Sequence, residues 1–324
     1  MAQPALGLDV AKEKIDAFLL QHDRGYHRTC ANTPAGFEQL QKWLVKHGTP
    51  PVHACLEATG TYGDNLALFL YDHGHTVSIV NPAQIKAYGD SELKRNKTDA
   101  SDAALLARFC DKQEPRAWTP PPVEVRELQA LVRRLESLHE MRQQEANRLA
   151  SGVRAEVVRR SLEESLAFLE GEITEMERQI REHIDRHPQL KSQRELIDSI
   201  PGIGPKTAAT LLAEYQDLRA FPSARAMVAF AGLNPRLWES GRTVRGKPRL
   251  SKKGSSALRK ALYWPAIVAM TRNPTLRQFA DRLRGRGKPN LLIIGAVMRK
   301  LIHLVFGVLK SGKPFDPDFA STRA

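Results

Sequence analysis

Four carboxylates in the first third of the chain, Asp9, Glu57, Asp99 and Asp102, have the types and spacing to do chemistry. Carboxylate oxygens are hard ligands that suit Mg2+ or Mn2+, ions that keep some waters and also bind phosphate oxygens. Two such ions, about 3.5–4 Å apart, stabilise both the attacking and the leaving oxygen of a phosphoryl displacement. Asp99 and Asp102 stand three apart in NKTDASDAALLARF, which reads as a helix N-terminus, so they share one helical face. Asp9 ends the strand-like run ALGLDV and Glu57 follows the apolar run VHACL, so adjacent strands would deliver both to one sheet edge. Singly, each acid has a plainer reading: Asp99 a helix cap, Asp102 a dipole partner, Asp9 a turn residue, Glu57 a solvated strand end. Their joint placement on strand, strand and helix is what points to a metal centre. LGLDVAKEK also resembles the first phosphate loop of actin-like ATPases and sugar kinases. Val10, Ala11 and Lys12 replace the glycines that would wrap a phosphate there, and no later glycine-rich adenosine loop appears.

A second constellation lies far downstream. Ser240 is flanked by Glu239, Gly241 and Arg242 and followed by Arg245, Lys247, Arg249, Lys252 and Lys253, with Arg236 just before it. A serine hydroxyl is a poor nucleophile near neutral pH and needs a base, a metal, or cations that stabilise charge on phosphorus. The arginines supply the last of these, although by residue type alone Ser240 reads as a loop serine. The run SIPGIGPKTA from Ser199 to Ala208 matches the hairpin of a helix-hairpin-helix element. Gly202 and Gly204 permit the tight turn, and exposed amides with Lys206 at the next helix start can hold a phosphate without reading bases. An ordinary helix connector is the plainer alternative.

The elements that must position these residues change character along the chain. ALGLDV (5–10), KIDAFLL (14–20) and a third run near His27 to Cys30 read as an opening strand meander. A helix over 34–47, a strand over 52–56, a helix over 62–72 and a strand over 76–80 follow, a pattern of a sheet covered by helices with sites at strand ends. From 123 to 187, Leu162, Leu166, Leu169, Ile173, Met176, Ile180 and Ile184 recur at helical steps, as in a coiled-coil seam or helical hairpin. Pro120, Pro121 and Pro122 open this stretch and Pro188 closes it. The remainder reads as mostly helical with basic loops, and 226–233 and 291–309 as core helices. A division into 1–115, 116–189 and 190–324 results.

The 324 residues carry a net charge of +13, with a pI near 9.8. Residues 1–110 hold 11 Lys and Arg against 12 Asp and Glu, whereas 219–300 hold 19 against two, Glu239 and Asp281. So strong a segregation favours a polyanionic partner, because cations that neutralise phosphates release condensed counterions. Cys30, Cys55 and Cys110 are odd in number and far apart, which suggests reduced thiols in the cytoplasm and no zinc site. No charged-then-apolar leader opens the chain and no apolar stretch reads as reaching the roughly 20 residues of a membrane helix, so a membrane is not an expected partner.

Together, LDVAKEK, EATGTY, NKTDASDA, IPGIG at 200–204, and AFAGLNPR followed by ESG resemble one family, the DEDD transposases of the IS-one-ten insertion sequences, which are bridge-RNA-guided serine recombinases. Order and spacing match from about residue 6 to 316. The resemblance implies a multidomain α/β plus α protein. It would have a RuvC-like, ribonuclease-H-type N-terminal domain, a coiled-coil connector and a mainly helical C-terminal transposase domain. It implies that Asp9, Glu57, Asp99 and Asp102 hold Mg2+ and that Ser240 attacks the scissile phosphate. It further implies donor and target DNA, a noncoding guide RNA, a homo-oligomer (a dimer assembling to a tetramer), and a bacterial, nucleoid-associated location. A RuvC-like junction nuclease that uses water, and a nonenzymatic nucleic-acid-binding protein, are the alternatives.

Overall fold

The structure is a computed structural model that describes residues 3–22, 24–48, 51–58, 60–92, 99–236, 239–240, 244–245 and 249–318, the side chains of 99, 100, 219, 239, 240, 244, 245 and 249 excepted. Two compact units are present, Met1–Pro120 and Pro121–Ala324.

In the first unit, β1 (Ala5–Val10), β2 (Lys14–Gln21) and β3 (Arg24–Ala31) form the antiparallel meander. The chain then crosses through α1 (Pro34–Lys46) to β4 (His53–Glu57), which lies parallel to β1, and through α2 (Asp64–Asp72) to β5 (Thr76–Val80), parallel to β4. The strand order is β3-β2-β1-β4-β5. α3 (Pro82–Ser91), a helix that the sequence reading did not separate, and α4 (Asp99–Gln113) complete the unit. Alternation along the strands sorts two cores. Leu6, Leu8, Ile15, Ala17, Leu19, Ala54 and Leu56 pack with Phe37, Leu40 and Leu44 of α1 and Leu66 and Leu70 of α2. Ala5, Cys55 and Val80 face the other way, onto Ile85 of α3 and Leu105, Leu106, Phe109 and Cys110 of α4. α1 starts sharply because Thr33 caps it by accepting from the Gly36 amide and Pro34 occupies the first turn.

The second unit opens with α5 (Val123–Ala150) and α6 (Glu156–Arg186), an antiparallel helical hairpin. His183 Nε2 lies 2.7 Å from the Glu124 carbonyl, and Arg142 pairs with Glu170 at 3.6 Å. Leu169, Ile173, Ile180 and Ile184 are buried against Val125, Leu128, Val132, Leu135 and Leu138, and the same core continues into the C-terminal helices. By compactness the hairpin therefore belongs with those helices, where the sequence suggested a separate connector. Leu162, Leu166 and Met176 are only half-buried; Leu162 and Leu166 lie toward the hairpin tip, where two helices alone cannot enclose a side chain. α7 (Pro188–Asp198), α8 (Pro205–Tyr215) and α9 (Ala224–Phe230) lead to four two-residue strands, β6 (Pro235–Arg236), β7 (Glu239–Ser240), β8 (Val244–Arg245) and β9 (Arg249–Leu250), and then to α10 (Ser256–Arg272), α11 (Pro274–Gly285) and α12 (Asn290–Ser311). The sequence showed no strand here, since two-residue ladders leave no alternation to read.

α12 corrects one expectation. Its 22 residues, with a mean hydropathy of 2.0 over their most apolar window, are long and apolar enough to span a membrane by length and composition. Ile293, Val297, Leu301, Ile302 and Val305 are fully buried in the helical core, so one face of this helix is enclosed by protein, while Leu291 and Leu292 are exposed.

Candidate active site

Register and alternation place the N-terminal carboxylates. β1 and β4 pair in parallel through Gly7↔Cys55 and Leu8↔Leu56, so Asp9 and Glu57 are the next residues along each strand. Gly7 and Cys55 face α4, and two residues on Asp9 and Glu57 do so as well. α4 runs antiparallel to these strands. A Cβ on Gly7 would lie 2.0 Å from the Ala103 carbonyl oxygen, while further along the helix Cys110 Sγ donates to the His53 carbonyl at 3.4 Å, at the opposite end of β4. The N-terminal turn of α4, with Asp99 and Asp102, therefore lies at the strand ends that carry Asp9 and Glu57. Asp9, Glu57 and Asp102 are each half-buried, and the Asp99 side chain lies outside the described residues. Among the described residues, no group of three or more His, Cys, Asp and Glu side chains is arranged to hold a metal ion.

The row extends to a residue that the sequence reading passed over. Asp16 on β2 is directly opposite Asp9, and Thr29 on β3 is directly opposite Asp16. Thr29, Asp16, Asp9 and Glu57 thus line four neighbouring strands on one face. Asp16 accepts from Thr29 Oγ1 at 2.7 Å and pairs with Lys14 at 3.0 Å and His27 at 3.3 Å. Burial pushes its carboxyl up, but the hydrogen bonds from Thr29 and Lys14 and the positive charge beside it more than offset this and hold it below its ordinary value. The signal was present in KIDAFLL: an acid inside a strand otherwise built for a core has to find partners. All three cysteines are free and buried, and the hydrogen bond with Cys55 and burial push the Cys110 thiol far up, which suits inert core thiols.

In the second unit the hairpin 199–204 joins α7 to α8. Gly202 has φ +108°, and a Cβ there would come within 2.6 Å of Ala269 Cβ, so this glycine lets the turn lie directly on α10. Gly204 is the N-cap of α8. Lys206 is exposed as a residue, but its ammonium lies 2.6 Å from His139 Nε2 and burial there pushes it below its ordinary value. Ser240 pairs with Val244 and Glu239 with Arg245, while Arg236 pairs with Arg249. Ser240 is thus the last residue of β7, in a two-residue ladder with β8 that is separate from the β6–β9 pair. Arg242 and Lys247 lie outside the described residues, as do the side chains of Ser240, Arg245 and Arg249. Lys252 and Lys253 are exposed at the foot of this arm, where the Lys252 amide donates to the Gly232 carbonyl at 3.1 Å. Arg259, which the sequence did not single out, bonds the carbonyls of Ala231, Gly254 and Ser255 through Nη1 at 2.9–3.1 Å. This cation pins the base of the arm. Lys260 likewise pairs with Glu136 and Glu140 of α5.

The acidic centre and the serine arm each fall within a segment matched by a family model. Residues 6–155 match a DEDD transposase model of the IS110 (IS-one-ten) family, and residues 194–281 match the model described as transposase IS116/IS110/IS902 family. A pilin gene-inverting protein of Moraxella bovis is 36% identical over 319 residues, 98% of both chains. The chain belongs to the IS110 family of transposases. More distant relatives agree with this. A probable family 20 transposase of Pseudomonas aeruginosa is 28% identical over 79% of this chain and 81% of its own. A protein of insertion element IS110 from Streptomyces coelicolor is 31% identical over 48% of this chain and 38% of its own. As an IS110-family transposase, the protein is a recombination enzyme that acts on DNA.

Proposed function

We propose that this IS110-family transposase cuts and rejoins donor and target DNA through a covalent phosphoserine intermediate on Ser240, with Mg2+ or Mn2+ held by Asp9, Glu57, Asp99 and Asp102 in a RuvC-like domain. The observation that carries the metal half is the in-register pair Asp9 and Glu57 on parallel strands, facing the helix end that carries Asp102 and Asp99. A divalent ion bound through one or two carboxylates, waters and substrate phosphate oxygens does not require a closed protein cage, which fits a half-buried, open-ended row. When bound, the ion would supply charge stabilisation at the reacting phosphate.

The protein's own residues do the rest. The Ser240 hydroxyl attacks phosphorus, the bond from phosphorus to the leaving sugar oxygen breaks, and the proton given up by serine ends on that oxygen. One phosphodiester is exchanged for another, so rejoining needs no ATP. Arg236, Arg242, Arg245, Lys247, Arg249, Lys252 and Lys253 would neutralise phosphate charge around the serine. Gly202, Gly204 and Lys206 would contact the backbone at the start of α8. The carboxylates and the serine belong to different units of the chain, and the reaction requires both at one phosphate; assembly into a homo-oligomer with a guide RNA is the reading that family resemblance supports for how they meet.

Replacing Asp102 with Asn tests the metal half. DNA cleavage falls by about a hundredfold or more, the scale of losing one electrostatic contact to a reacting group. RNA and DNA binding stay near wild type, because the substitution removes no cation. Undiminished cleavage would falsify the carboxylate assignment. The rival reading, a metal-dependent nuclease with water as nucleophile, predicts instead that Ser240→Ala still releases freely cleaved DNA.

A further inference from the structure

On the face of the first unit opposite its acidic row, Arg28, Lys42 and Lys46 converge on an open hollow of about 350 Å³, lined otherwise by Gln39, Trp43 and His47. Residues 1–110 have more acids than bases, yet no carboxylate is among the lining residues. Strand alternation explains the separation from the acidic row. Arg28 is opposite Ala17, which faces α1, while its neighbour Thr29 faces the other way toward Asp16. On α1, Gln39, Lys42 and Lys46 follow at steps of three and four and form one stripe beside the edge strand β3. Trp43, buried, anchors this stripe, and the ring of His47 lies 4.9 Å from that of Trp43 and 4.7 Å from that of Tyr26. Arg28 Nε is buried and has no hydrogen-bond partner. Among the described residues, none of the three cations forms an ion pair.

Three cations around one hollow, with no acid to discharge them, focus positive potential there, and the arginine fork matches phosphate oxygens. We infer that this hollow seats a phosphodiester of bound nucleic acid, a contact of the N-terminal unit separate from the carboxylate row and from the basic arm. A phosphate seated there is met by the Arg28 guanidinium, with Lys42 and Lys46 flanking it. The inference rests on the protein being a nucleic-acid enzyme and not on the role of Ser240.

The test is titration of the full-length protein, with EDTA present so that the carboxylates hold no metal, into fluorescein-labelled single-stranded RNA, single-stranded DNA and duplex DNA of equal length. Lys42→Gln/Lys46→Gln removes two exposed cations from α1 without touching its buried face, and Arg28→Gln tests the third position independently. Affinity for at least one probe falls about tenfold. The slope of log affinity against log salt becomes shallower by about 1.4 for single strands or 1.8 for duplex in the double variant, as expected for two lost phosphate contacts. The probe affected distinguishes RNA from DNA as the source of the phosphate. Unchanged affinity for all three probes overturns the inference, and so does weaker binding with an unchanged salt slope, since that would mark a structural effect.

Discussion

Asp9 and Glu57 meet through backbone register alone, because each is the residue after the last paired position of adjacent parallel strands. Asp16 then sets the electrostatics of the same face: three carboxylates abreast would repel, and Lys14 and His27 beside Asp16 relieve part of that. His75 gives the unit a pH dependence at a distance from this row. Its Nδ1 accepts from the Val52 amide at 3.1 Å, and its Nε2 donates to Gln41 Oε1 at 2.8 Å. Burial, with the charge of His73 adding to it, pushes the imidazole below its ordinary value. The folded state therefore binds fewer protons at this site than the unfolded chain, so the contribution of His75 to stability is complete above about pH 6.5 and is lost as pH falls below it. Melting measured from pH 8 to 5 is expected to show that decline in the wild type and a flatter profile in His75→Gln; parallel profiles would contradict it.

At the scale of elements, the site depends on how closely α4 lies on β1. A Cβ at Gly7 would meet the Ala103 oxygen at 2.0 Å and the Ala107 nitrogen at 2.3 Å, both backbone atoms that cannot swing aside. Gly7→Val is expected to destabilise the first unit by about 3 kcal/mol, the upper end for overpacking, and to abolish cleavage by lifting Asp102 away from Asp9; wild-type melting and cleavage together would refute this seating. Gly202→Ala carries the same logic in the second unit, where a left-handed φ adds to the contact with Ala269. Calorimetry should show its melting lowered with the N-terminal unit unaffected. The strands β1, β2, β4 and β5 and the long helices were legible in the sequence, because alternation and helical periodicity survive wherever one face is buried. α3 was not, since Ile85 is its one buried residue and a single apolar position sets no period. The ladder that carries Ser240 was not legible either, for it pairs only two residues on each strand and so leaves no alternation to read. The acidic quartet could be read as a set because its members sit at strand and helix ends, while Asp16 was hidden inside a strand whose partners come from neighbouring strands.

At the scale of the whole molecule, the segregation of charge decides how the protein holds its substrate. Residues 219–300 carry 19 basic residues against two acidic ones, but Arg259, Lys260 and Arg284 are engaged within the fold. The charge that remains predicts a steep loss of DNA affinity with salt, about 0.9 log units per log unit of salt for each phosphate neutralised; a flat profile would rule out an extensive phosphate interface. In the proposed reaction the carboxylate row serves a protein nucleophile and not water. The most direct test of this is mass mapping of protein recovered under denaturing conditions from a reaction with guide RNA, DNA and Mg2+. A nucleotide attached to the peptide that contains Ser240 is expected, absent when Mg2+ is withheld and absent in Asp102→Asn. DNA cleaved in full by wild-type protein with no nucleotide on that peptide at any time in the reaction would contradict it.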